Sequence, residues 1–135
     1  MTKDYVLAFP PVEPRAFELW LQHAAGFRLF EQMRNYARHE IDPMLDITAR
    51  NAAEKAIDDT LYGLMQLIEG IPAAFQNDTH RLDLELFVRL SRRSDGAEVA
   101  RMNLAESDGL CMGYHMWRQG DFGSHPVVAE ATVRN

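Results

Sequence analysis

The sequence predicts an α+β domain, an N-terminal antiparallel helix pair packed on one face of a three- to four-stranded antiparallel β-meander. Three observations lead there: apolar residues at helical spacing across 15–70, alternation beginning at Arg81, and the tripeptide Ser-Asp-Gly at 94–96 and again at 107–109. The helical half is 15–70 and the meander half 81–134, within one domain spanning 1–135. A chain of 135 residues has the size of one compact unit, which leaves little room for a two-domain enzyme.

Tyr5 to Phe9 reads as a short edge strand, and Pro10-Pro11-Val12-Glu13-Pro14 as an extended lead into the first helix. From Arg15 to about Ile41 the pattern is helical, but its apolar face moves. Phe17, Trp20, Ala24 and Phe27 share one stripe, whereas Leu29, Phe30, Met33, Tyr36 and Ala37 share another. Arg34 and Arg38 continue the first stripe, so a straight helix would offer charge where its earlier turns offer tryptophan. Gly26 sits at the change, and the pattern predicts either a kink or break near it or a helix buried on two different sides by two different neighbours.

Asp42-Pro43 ends this helix, Asp46 or Thr48 caps the next, and Gly70 and Pro72 stop it. Ala53, Ile57, Leu61, Leu64 and Ile68 form the core stripe of that second helix. Glu54, Asp58, Tyr62 and Glu69 lie along one flank, read as solvated. The short connection makes the two helices an antiparallel pair.

Leu82, Leu84, Leu86, Val88 and Leu90 then alternate with Arg81, Asp83, Glu85, Phe87 and Arg89, the pattern of a half-buried strand. Three-residue loops at both Ser-Asp-Gly sites set Leu90 opposite Ala100, Val88 opposite Met102 and Leu86 opposite Leu104, then Leu104 opposite Met112 and Met102 opposite Tyr114. A two-residue loop would instead place Leu90 against Arg101, mixing core with charge. Glu98 falls near Arg92 and Arg118 in this register, and Pro126 to Arg134 supplies a fourth strand.

The opposite face of the same sheet carries Arg89, Arg101 and His115 in one row, flanked by Phe87 and Trp117, with Val99 next to the tryptophan. Directly opposed arginines repel unless an anion or carboxylate separates them. This row is the candidate binding site, for an acidic protein partner or a small anion. The competing structural role has Glu85, the acidic flank of the second helix or a twin subunit neutralise the row within the assembly.

Residues 40–70 contain seven acids, Glu40, Asp42, Asp46, Glu54, Asp58, Asp59 and Glu69, against Arg50 and Lys55, and so hold most of the net charge of −6. That balance argues against nonspecific nucleic-acid binding through a broad cationic surface. Glu54 and Asp58 at i and i+4, with His39, Glu40 and Asp42 nearby, bring carboxylate and imidazole groups together, but no His-Glu-x-x-His, di-iron or calcium-loop pattern accompanies them. No metal or cofactor is therefore expected.

Cys111 is the only cysteine, which excludes an intramolecular disulfide and a cysteine-rich zinc site and suits a reducing, cytoplasmic setting. No run approaches the ~18 apolar residues of a membrane span, and Met1 to Phe9 does not read as a signal peptide. There is no nucleophile elbow, Walker loop or dinucleotide fingerprint. The expectation is a noncatalytic binding module, homodimeric because two helices cannot bury both stripes of the first. The alternative is a small enzyme or ligand-binding protein using Asp58, His115 and Asp121 in an acid-base cleft between the acidic helix and the sheet end.

Overall fold

The computed structural model describes residues 5–106 and 108–129 and is of the α+β class. Strand β1 (Tyr5–Leu7) precedes helix α1 (Pro14–Gly26), which runs through a π-helical segment (Phe27–Gln32) into α2 (Met33–His39). Helix α3 (Ile47–Ile68) follows, then β2 (Phe75–Gln76), β3 (Arg81–Leu82), β4 (Phe87–Ser91), β5 (Glu98–Asn103), helix α4 (Leu110–Trp117) and β6 (Val127–Ala129).

The caps follow local chemistry. Glu13 accepts hydrogen bonds from the backbone N–H groups of Arg15 and Ala16, with Pro14 in the first turn of α1 where its missing N–H costs nothing. Asp46 accepts from Ala49 N–H at the start of α3, as its position before the helical run predicts. Gly70, at φ +73°, leaves that helix in a conformation that favours glycine.

The π segment begins directly after Gly26, where the apolar stripe changes. A π turn holds more residues than an α turn, so it rotates whatever follows around the helix axis. Trp20, Leu21 and Ala25 before it and Phe30 within it are all buried, which one uninterrupted α-helical stripe would not achieve.

The first β-hairpin has the predicted register. Val88 pairs with Met102, Arg89 with Arg101 and Leu90 with Ala100, and Leu104 N–H bonds to Leu86 O. The register shifts between Leu90 and Ser91, so the predicted three-residue loop is a four-residue one, residues 93–96, closed by Arg92 N–H to Ala97 O with Gly96 at φ +74°. The predicted strand from Arg81 is interrupted, however. Arg81 and Leu82 pair with Phe75 and Gln76 in a separate small hairpin, and only Phe87 to Ser91 joins the main ladder.

The meander stops at two strands, because the predicted third strand is helix α4. Leu110, Gly113, Tyr114 and Trp117 stand at i, i+3, i+4 and i+7, and all four are buried on one face. The Glu69 carboxylate accepts the Cys111 N–H at 2.9 Å, satisfying a free donor at the start of this helix from another element. Gln22 Nε2 donates to Gly109 O beside it. The predicted C-terminal strand is found as Val127–Ala129, pairing antiparallel with β1 in place of extending the meander, and residues 130–134 of that prediction lie outside the described residues.

The core joins Ala25, Phe30, Leu61, Met65, Leu104, Leu110, Tyr114, Trp117 and Phe122. Trp117 is 0% exposed, its ring stacked on Phe122 and lying against Gly26 and Gly113. The flank of α3 read as solvated faces inward in part: Asp58 is buried, and Tyr62 and Glu69 contact α4. From Gly70 to Phe87, by contrast, every residue is exposed.

Candidate functional site

On the β4–β5 hairpin Arg89 and Arg101 stand directly opposite each other and both are exposed. The Arg101 guanidinium lies over the Phe87 ring, 5.5 Å from its centroid, and its Nε donates to Glu98 at 3.0 Å. Glu98, not Glu85, is thus the internal counterion, which also removes it from its predicted partners. Arg92 pairs with Asp95, and Arg118 approaches Asp58. Among the described residues no carboxylate bonds to Arg89. Phe87 and Val99 are 44% and 54% exposed beside the arginines, so the face pairs charge with apolar area.

His115 and Trp117 do not join this row, a correction that follows from α4. Helical spacing sends Trp117 into the core, where its indole N–H bonds to His23, and leaves His115 exposed against the rings of Tyr62 and Tyr114. Trp20 and Leu21 of α1 are buried as well.

The three residues of the alternative cleft are engaged separately. Both oxygens of Asp58 accept from Arg34, Nε to Oδ1 at 2.8 Å and Nη2 to Oδ2 at 2.9 Å. Asp121 accepts the Gly123 N–H at 3.0 Å within its own turn. His115 packs against the tyrosines, and no hydrogen bond or ion pair joins any two of the three. Among the described residues no three His, Cys, Asp or Glu side chains are grouped to hold a metal ion.

Asp58 is instead the centre of an arginine cluster. Arg38 Nη2 and Arg118 Nε each stand 3.8 Å from Oδ2, beyond hydrogen-bond distance. Three guanidiniums from α2 and the end of α4 therefore share one carboxylate. The sequence held a partial signal: Arg34 and Arg38 interrupt an apolar stripe one turn apart, where a partner acid on the neighbouring helix is the economical explanation. Arg118 carried no such signal, because it was placed at the end of a strand.

A scan against protein-family models, a search of curated proteins and a search of solved structures each found no match.

Proposed function

We propose that the protein is a noncatalytic, cytosolic binding module that engages an acidic protein partner through the outer face of the β4–β5 hairpin. Arg89 and Arg101 supply the charge and Phe87 the apolar anchor. The observation that carries this reading is the opposition of Arg89 to Arg101 with Glu98 answering only the latter. Like charges held opposite cost stability, and a carboxylate delivered by a partner would offset that cost. Arginine and aromatic side chains are also the residue types that dominate interface hot spots. No helix among the described residues is long and apolar enough to cross a membrane.

The reading includes self-association. Ile71, Phe75, Leu82 and Leu84 are exposed in the segment after α3, and an open apolar groove of about 570 Å³ lies between α2 and α3, bordered by Met33, Tyr36, Ala37 and Ile57. Apolar surface of this extent on one small chain is the kind that association covers.

Native mass spectrometry of gently purified protein tests both parts. A dimer carrying an acidic protein is expected, with the passenger lost in Arg101→Glu while the dimer, the circular dichroism spectrum and the melting temperature stay unchanged. A passenger retained by Arg101→Glu, or loss of folding in that variant, overturns the sheet-face reading. A monomer at micromolar concentration overturns self-association.

A further inference from the structure

The arginine cluster around Asp58 carries more positive charge than its surroundings neutralise. Arg34 and Asp58 form a closed pair, their side chains only 14% and 9% exposed. Arg38 and Arg118 approach the same Oδ2, but Arg34 already occupies it, so their two charges find no full counterion there. Lys55 and Asp59, on the same helix as Asp58, pair with each other at 2.5 Å and leave the balance unchanged. Arg38 Nε is buried with no hydrogen-bond partner. Arg34 and Arg38 stand one turn apart on neighbouring helical turns, an arrangement of like charges that costs stability in an isolated helix.

A buried guanidinium donor without an acceptor is costly, and charge-assisted bonds to an oxyanion are among the strongest a guanidinium can make. Counted over its ion pairs, the cluster holds a surplus of two positive charges, from Arg38 and Arg118; Glu54, one turn before Asp58 on α3, forms an ion pair with neither. A phosphate monoester carries about −1.5 to −2 at neutral pH and three acceptor oxygens, enough to match that surplus and receive from both forks, whereas a carboxylate would leave one charge unanswered. Both arginines retain solvent access, 35% and 57% by side chain, so an anion can enter from outside.

We propose that Arg38 and Arg118, backed by the Arg34–Asp58 pair, form a binding site for the phosphate group of a soluble phosphomonoester. This site is separate from the β4–β5 face and does not depend on the reading of that face.

Isothermal titration with inorganic phosphate and with glycerol phosphate, at fixed ionic strength set by sodium chloride, tests it. Saturable one-to-one binding is expected, weakened about tenfold or more in Arg118→Gln and abolished in the Arg38→Gln, Arg118→Gln double variant. Arg93→Gln, an exposed arginine outside both sites, serves as the control and should bind as the parent does. If the double variant does not fold, Arg118→Gln alone decides, because that side chain is the more exposed of the two. Absence of saturable binding to either ligand, or binding unchanged in Arg118→Gln, overturns the proposal. So does binding confined to vesicles containing phosphatidic acid, which would assign the arginines to a membrane surface.

Discussion

Trp117 donates its indole N–H to Nδ1 of His23 across 3.0 Å inside the core, a bond between residues 94 positions apart in sequence. Tryptophan can only donate, so His23 must accept at Nδ1 and carry its proton on Nε2. Neutral imidazole is thereby written into the packing. Gly123 closes over the other edge of the ring, where a Cβ would come within 2.8 Å of Nε2.

Burial holds the His23 pKa below its ordinary value, with His125 acting in the same direction and Asp121 and Asp108 opposing. Above about pH 6.5 the ring is neutral both folded and unfolded, so it adds no pH dependence there. As pH falls through that value the unfolded chain takes up the proton first, and folding stability declines until the folded ring also titrates. Urea unfolding at pH 7.5 and pH 5.0 should show a drop in the parent that is smaller in His23→Gln. Equal drops in the two proteins would show that His23 is not the group responsible.

Two glycines inside helical segments should respond oppositely to the same substitution. A Cβ at Gly26 would fall 2.2 Å from the Trp117 ring, whereas one at Gly63 meets nothing within 4 Å. Gly26→Ala should cost about 1–3 kcal/mol by overpacking, more than the helix preference for alanine returns. Gly63→Ala should gain roughly 0.5–1 kcal/mol. Denaturant midpoints measure both, and a Gly26→Ala protein as stable as the parent would show that the Trp117 slot is looser than described.

Cys111 should be a poor nucleophile. Burial, followed by its hydrogen bond to Glu69, pushes the thiol up to about 11, although a bond to Tyr62 pulls the other way. The thiolate is the reactive form, and at neutral pH it should amount to roughly one part in a thousand or less. Alkylation by iodoacetamide at pH 7.5 should run about tenfold or more slower in the native protein than in urea. Comparable rates would mean that the thiol is freely solvated in the native state.

The sequence was most legible where one periodicity stood alone. The first hairpin has its expected register because any slip sets leucine against arginine, and α3 begins at its expected cap. Residues 110–117 were ambiguous, since Met112, Tyr114 and Met116 satisfy a strand while Leu110, Tyr114 and Trp117 satisfy a helix. The decision came from partners distant in sequence: Glu69 at the helix start, and the slot that Gly26 and Gly113 leave for Trp117. Placing that segment on a strand moved His115 and Trp117 to the wrong face. It also concealed Arg118, whose meeting with Asp58 requires α4. The opposition of Arg89 and Arg101 survived because it depends only on the first hairpin.

The π segment between α1 and α2 acts as a phase shifter. One surplus residue there turns everything downstream by about 100° about the helix axis. Upstream of it the helix presents Trp20 and Ala25 to the core, and downstream it delivers Arg34 to Asp58. Removing a single residue from 27–32 would straighten the hydrogen-bond ladder yet swing both Arg34 and Arg38 off their carboxylate. The spacing of that short stretch is therefore tied to the charge chemistry on α3, and tolerance to substitution there need not extend to tolerance of deletion.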